Sequence, residues 1–269
     1  MATTVQDILD ILDSIAPVDL TEEWDNTGLL VGDPKTRVTG LLLALDPTLE
    51  LIDQAVSLQT NLIITHHPLI FQPIRAIRSD LAEGGLIHRA VLSGINMIAC
   101  HTNLDMAQDG VNDVLANLLK LDEIVPLTPC PRQTGSSVCG MGRMGKLRSP
   151  LPADRFIEQL KMAWDLPWLL TAGRQPAQVQ TVALCGGSGS ELAETAWRAG
   201  ADVFITAEVK HAVARWAEIS GLWIIDGGHF STENPVIPAL RDTLEKQLRK
   251  TGAELPLHSA EQSPPLRPI

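Results

Sequence analysis

The sequence predicts an α/β protein made of two linked, internally similar α/β domains, with a metal site in the cleft between them. Three observations carry this reading. Short branched apolar runs alternate with amphipathic stretches from Gly40 to Lys120, and again from Thr181 to Leu248. The two series resemble each other residue by residue. In both, histidines and carboxylates stand just past the strands' carboxyl ends, where open α/β sheets place their chemistry.

Val5, Ile8, Leu9, Leu12 and Ile15 fall at helical spacing, so the chain opens with an amphipathic helix that stops before Pro17. Glu23 to Asp33 sets polar groups between apolar ones and reads as a loop into an edge strand, with Asn26 on a pocket rim as the functional alternative. Leu41 to Leu45 is a strand, followed by a helix to Leu58 that opens at Pro47. Leu62, Ile63 and Ile64 form a short buried strand that Thr65-His66-His67-Pro68 closes. A helix over roughly 80–93 leads to a strand at Ile95–Ala99 and the turn Cys100-His101-Thr102-Asn103-Leu104-Asp105. A further helix opens at Asp109-Gly110 and ends near Lys120. Pro126, Pro129 and Pro131 cluster tightly and mark a domain crossing. Residues 1–127 with 234–269 are therefore expected to form the first domain, and 128–233 the second. Ser137 to Leu147 is strand-like and Ala153 to Trp164 helical. Thr181 to Cys185 opens the second series. Its helices near 190–199 and 209–219 frame strands at Asp202–Ile205 and Leu222–Ile225. Glu233 to Leu248 is a last helix, and residues 253–269, with four prolines, read as a loose tail.

Composition narrows the function. A chain of 269 residues that is 45% hydrophobic can bury a full core, and none of its apolar runs approaches the ~20 residues of a membrane span. A net charge of −11 argues against a general nucleic-acid surface. The first residues lack a basic segment followed by an apolar one, so a cytoplasmic protein without a signal peptide is expected. Cys100, Cys130, Cys139 and Cys185 show no C-x-x-C pair and read as reduced thiols. Tyrosine is absent, which removes phenol acid–base chemistry.

The internal likeness is specific at the strand ends. Leu62-Ile63-Ile64-Thr65 matches Val203-Phe204-Ile205-Thr206. Ser93-Gly94-Ile95 runs to His101-x-x-x-Asp105, and Ser220-Gly221-Leu222 runs to His229-x-x-x-Glu233. The offset from serine to histidine is eight residues in the first case and nine in the second. His66-His67 ends the first unit's other strand, and its counterpart is Ala207-Glu208.

His66, His67, His101, Asp105, His229 and Glu233 thus form one candidate constellation. Imidazoles with two carboxylates suit zinc, manganese or iron, whereas magnesium or calcium would want more oxygen. Such a set exceeds what one tetrahedral ion needs, so two divalent ions per chain are the economical reading. Two ions about 3.5–4 Å apart can share a carboxylate and a water whose pKa falls towards neutrality. For each residue alone, a buried histidine or capping aspartate is the plain alternative. Gly186-Gly187-Ser188-Gly189 could cradle a phosphate on its N–H groups, although any tight strand-to-helix turn also favours glycine.

Trp24-Asp25-Asn26-Thr27-Gly28, Thr65-His66-His67-Pro68, His101-Thr102-Asn103-Leu104-Asp105, Gly186-Gly187-Ser188-Gly189 and Gly228-His229-Phe230-Ser231-Thr232-Glu233 resemble the GTP cyclohydrolase I type 2 homologues, also called the Nif-three-like dimetal proteins. The likeness runs in order to about residue 250. It implies two linked α/β domains, a dinuclear site in their cleft and a ring-shaped homohexamer. Carried over by position, it implies that His67 and Asp105 hold one ion, that His66 and His229 hold the other, and that Glu233 bridges both. His101 matches a position beside the metals and is the candidate catalytic group, a proton shuttle. Asp202-Val203-Phe204-Ile205-Thr206-Ala207-Glu208 resembles the family's Thr-Gly-Glu turn, with Ala207 where Gly is usual.

The reading is a metal-dependent hydrolase acting on a small molecule such as a nucleotide, with Asn26, Asn103 and Glu208 as pocket residues. The family label implies opening of the imidazole ring of GTP. A dimetal phosphoesterase and a non-catalytic metal-binding regulator are the alternatives. An open, substrate-shaped pocket would favour an enzyme and an occluded site the regulator.

Overall fold

The computed structural model describes residues 2–130 and 138–267, so the sequence landmarks Pro131 and Ser137 lie outside the described residues. In chain order the elements are α1 (Val5–Ile15), β1 (Gly28–Val31), β2 (Leu41–Ala44), α2 (Leu49–Ser57), β3 (Leu62–Thr65), α3 (Ala82–Leu92), β4 (Asn96–Ala99) and α4 (Thr102–Met106). There follow α5 (Val111–Leu118), β5 (Asp122–Pro129), β6 (Gly140–Pro152), α6 (Ala153–Ala163), β7 (Leu170–Ala172) and β8 (Gln178–Ser188). The last are α7 (Ala193–Arg198), β9 (Val203–Ala207), α8 (His211–Ser220), β10 (Trp223–Asp226), α9 (His229–Glu233), α10 (Val236–Thr251) and β11 (Leu257–Ser259). Among the described residues, no helix is long and apolar enough to cross a membrane.

Two compact units result, Met1–Leu104 with Ile237–Gln262, and Asp105–Val236 with Ser263–Ile269. The first holds a five-stranded sheet in the order β1-β4-β3-β2-β11. β2, β3 and β4 run parallel, and β1 lies antiparallel outside β4. Leu41 to Leu43, Leu62 to Ile64 and Met97–Ile98 are almost wholly buried. Parallel strands are covered on both faces by their crossover helices, which is why these runs are continuously apolar. α1 opens with a capping box between Thr4 and Asp7 and turns Val5, Ile8 and Leu12 inward. α2 starts at Leu49, two residues after Pro47, because Thr48 is its N-cap and accepts the Leu51 N–H.

The tail is not loose. β11 adds in parallel to the edge of β2, and the Gln262 amide oxygen accepts the N–H groups of Leu45 and Asp46. Leucine at 257 faces Leu41 in register, so the segment extends the sheet although its prolines suggest irregular chain.

The second unit holds a six-stranded sheet in the order β5-β6-β8-β9-β10-β7. β8, β9 and β10 run parallel, with β7 antiparallel outside β10. β5 is an edge strand paired with β6, and Pro126 and Pro129 sit in it. Proline fits an edge, where one side of the strand needs no donor. Pro126 and Pro129 therefore mark a sheet edge. Phe204, Ile224 and Ala183 lead the core on one face, and Phe156 stands against Trp223 with ring centroids 6.4 Å apart. Arg143 is buried on β6. Its guanidinium grips Asp113 with Nε–Oδ1 at 2.5 Å and Nη2–Oδ2 at 2.9 Å, and donates to the carbonyls of Gly140, Gly142 and Ala107.

Candidate metal centre

In the first unit, the carboxyl ends of β3 and β4 bring three of the candidate histidines together. One ring nitrogen of each of His66, His67 and His101 lies within 4.8 Å of the others. The rings of His66 and His67 are 5.1 Å apart between centroids, and His101 stands 5.2 and 5.6 Å from them. The Nδ1 atom of every ring faces a fixed acceptor. For His66 it is the Cys100 carbonyl at 2.8 Å, for His67 Asp46 Oδ1 at 2.7 Å, and for His101 Asp25 Oδ1 at 2.8 Å. A carbonyl or carboxylate can only accept, so each Nδ1 carries the proton and each lone pair falls on Nε2.

Asp25 organises this histidine cluster. Its side chain is buried, accepts the Thr102 N–H and hydroxyl at 3.1 and 2.6 Å, and accepts His101 on its other oxygen. Burial opposes its ionisation most strongly. Hydrogen bonds from His101, Thr102 and the Asn26 N–H, with the electrostatic attraction of the His101 ring, outweigh that and hold the carboxyl well below the usual range. Cys100, directly before His101, is the reverse case: burial pushes its thiol up to about 12. Asn26 donates its amide to the Ile70 carbonyl, and buried Asn103 donates to Ala16 O at 2.7 Å.

In the second unit, α4 and α9 present the remaining donors. Carboxylate oxygens of Asp105 and Glu233 lie within 4.8 Å of one another. His229 stands between two carboxylates, with Nδ1 3.0 Å from Glu208 Oε1 and Nε2 3.0 Å from Glu233 Oε2. A neutral imidazole carries one N–H, so the second of these contacts needs an added positive charge, either a proton or a metal ion. Buried Asn112 pins the arrangement by donating to the Asp105 carbonyl and accepting the Gly186 N–H.

The glycine run serves this carboxylate and not a phosphate. Gly186, Gly187 and Gly189 already donate their N–H groups to Asn112, Thr232 and Thr206 side chains. Gly187 has φ +61°, and a Cβ there would run into Glu233 Oε1 and come within 3.3 Å of His229 Nε2. Glycine is required by conformation and by the closeness of the Glu233 and His229 side chains. The family's usual Gly in the Thr-Gly-Glu turn is not needed here, because Ala207 ends β9 in extended conformation and the positive φ, +54°, falls on Glu208.

Asp46, Asn112 and Gln262 are absent from the residues singled out by sequence, and Asp25 stands there only within a motif, without its role towards His101. Asp25 and Asp46 follow the signal that an acid sits in a loop or just past a strand. Gln262, which donates to the Asp46 carbonyl from 216 residues away, carries no local signal.

Residues 3–265 match the family model described as Duf34/NIF3 (NGG1p interacting factor 3). The chain is 33% identical over 258 residues to the GTP cyclohydrolase 1 type 2 homolog of Clostridium acetobutylicum, a match covering 96% of this chain and 95% of the other. A hypothetical protein of Staphylococcus aureus of known crystal structure superposes with a TM-score of 0.92 at 28% identity, covering 100% of both chains. A Bacillus cereus protein related to NIF3 gives 0.93 at 24% identity over 100% of both chains and shows the same fold. By the length of the match and the identity to its relatives, the chain belongs to the DUF34/NIF3 family.

Proposed function

We propose that the protein is a dinuclear-metal hydrolase acting on a nucleotide-like small molecule, with His67 and Asp105 holding one divalent ion, His66 and His229 the other, and Glu233 bridging them. The observation that carries this reading is the tautomer pattern. His66, His67 and His229 all commit Nδ1 to an acceptor, so the lone pair a cation requires is on Nε2. The contact of His229 Nε2 with Glu233 supports it further, since a shared cation satisfies both. Bound divalent ions supply Lewis acidity to such a site.

The chain's own groups do the rest. His101, held by Asp25 through Nδ1, takes or returns a proton at Nε2, with buried Asp25 fixing the ring and stabilising its charged form. Trp24 and Phe71 pack edge-on beside His101, each with its centroid 6.2 Å away, and limit water at that ring. Glu208, exposed and fixed to His229, meets substrate. Asn26 and Asn103 hold the pocket wall through their backbone partners. The nucleotide-like substrate is supported by the name of the Clostridium relative and by the resemblance read from the sequence. A ring-shaped homohexamer in the cytoplasm completes the proposal.

The test is to purify the protein without chelator, measure metals by elemental analysis, and screen the loaded protein against nucleotides with Glu233→Gln as control. About two ions per chain and hydrolysis lost in the variant is the expected result. One ion or none would overturn the dinuclear site, and two ions without any turnover would overturn the hydrolase in favour of a metal-binding regulator. Light scattering on the same sample tests the hexamer.

A further inference from the structure

The second unit holds a cavity of about 140 Å³ beside His229. Trp168 and Phe230 form part of its apolar wall, and Pro264 and Pro265 of the tail form another. Trp168 lies close on the backbone of Gly228, where a Cβ would meet its ring at 3.1 Å and where φ is +79°. The conformation favours glycine and a Cβ would crowd the ring, so the indole is seated on backbone with no side chain intervening. Glu208 and Asp226 also line it. Both Asp226 oxygens already accept backbone N–H groups, from Gly228 and Val209. Glu208 gives Oε1 to His229 and is held in a left-handed conformation, φ +54°, that a non-glycine residue adopts at a cost.

We propose that this slot is a subsite for a flat heteroaromatic ring with an N–H edge, its faces against Trp168 and the tail prolines and its edge on Glu208. An indole and proline rings offer flat apolar faces, which planar rings cover better than sugars do. A carboxylate only accepts, so the ring's edge must donate. The volume suits one heterocycle without the rest of a nucleotide. The class of ligand rests on the nucleotide-like reading above, whereas the slot does not. The tail becomes part of the binding site, and Trp168 becomes a specificity-determining residue.

The test is calorimetric titration of the full chain with guanosine, 1-methylguanosine and ribose 5-phosphate. It is repeated with Trp168→Leu and with a chain ending at Gln262, which retains the residue that anchors β11's far end. Metal content is measured on every sample. Guanosine should bind, 1-methylguanosine and ribose 5-phosphate should bind at least tenfold more weakly, and both variants should lose roughly tenfold in guanosine affinity with metal content unchanged. Equal guanosine affinity in wild type and both variants would overturn the subsite, as would ribose 5-phosphate binding as tightly as guanosine. If Trp168→Leu does not fold, the shortened chain decides by the same criterion. Trp168-dependent guanosine binding by protein without metal would sink the dinuclear reading and leave the subsite standing. Two ions with no Trp168 dependence would do the reverse.

Discussion

In the first unit β2, β3 and β4 run parallel with β1 antiparallel outside β4; in the second β8, β9 and β10 run parallel with β7 antiparallel outside β10. The register agrees in detail. Cys100 N donates to Thr65 O at 2.9 Å, and Gly227 N donates to Thr206 O at 2.9 Å. Cys100 and Gly227 are therefore equivalent, and the extra residue in the second turn is Gly228. That accounts for the offsets of eight and nine residues in the sequence, and for the positive φ at Gly228 that absorbs the insertion. The donors differ. Equivalent strand ends carry His66-His67 in one unit and Ala207-Glu208 in the other, and the turns that follow carry His101 and His229. Each of these histidines has its Nδ1 on a carboxylate, but Asp25 comes from the loop before β1 and Glu208 from the end of β9. The shared scaffold fixes where chemistry can be placed, and the residues grafted there decide what it is.

The largest expected effect concerns the second unit's turn, where His229 and Glu233 stand four residues apart. Glu233→Ala should lose both ions and all hydrolysis, whereas His229→Ala should lose mainly one ion, because a bridging carboxylate serves two cations and an imidazole one. Elemental analysis of both variants checks this, and equal metal loss in the two would remove Glu233 from the bridging position. Next comes the turn histidine of the first unit. His101→Asn should keep most of the metal yet lower hydrolysis by roughly 10²–10⁴-fold, the ordinary contribution of an acid–base group. Loss of metal in proportion to activity would make His101 a ligand instead.

Much of this comparison is legible in the amino-acid order. The parallel strands announce themselves as short apolar runs, and chemistry at their carboxyl ends follows from the fold class. His66, His67, His101, Asp105, His229 and Glu233 can therefore be collected from strand ends alone. What stays hidden depends on partners distant in sequence. Asp25 holds a histidine 76 residues away, and Gln262 reaches back 216 residues to Asp46. No local periodicity encodes such pairs. The prolines of β5 and of the tail mislead for a related reason: proline signals a missing donor, which suits a loop and a sheet edge equally well.

A stability experiment separates the units. Arg143→Ala leaves the Asp113 carboxylate and three carbonyls of the second unit without their buried donor. It should cost about 3–5 kcal/mol in chemical denaturation, the usual penalty for breaking a buried pair from one side. Unchanged denaturation midpoints would show that the pair is not holding α5 to β6.

The two carboxylates behind the turn histidines should differ in the same assay. Asp25→Asn, at a buried site with hydrogen bonds to both oxygens, should cost about 2 kcal/mol at neutral pH. Glu208→Gln, whose side chain is 60% exposed, should stay within about 1 kcal/mol. The pH dependence has a definite sign. Asp25 has its folded pKa depressed, so its contribution is fully present above the unfolded value of about 4 and is lost as pH falls through the lower, folded value. Asp25→Asn should therefore flatten the acid limb of the stability curve, and an acid limb identical to wild type would argue against the assignment.

The smallest expected effect lies at the equivalent pair Cys100 and Gly227. Cys100 adjoins His101 and thiolates bind the same metals as imidazoles, yet the sequence reads it as a reduced thiol and not as a ligand. Its counterpart has no side chain at all, so the scaffold places no donor there in the second unit. Burial keeps the Cys100 group a thiol, with its pKa pushed up to about 12, and it is the backbone carbonyl that contacts His66. Cys100→Ser should accordingly keep its metal content and full hydrolysis and lose about 1 kcal/mol of stability at most, because the carbonyl is unchanged. In the folded wild type, a thiol reagent at pH 8 should leave Cys100 unlabelled. A folded Cys100→Ser protein depleted of metal would make the thiol a ligand, and the two units would then differ in donor number as well as donor type.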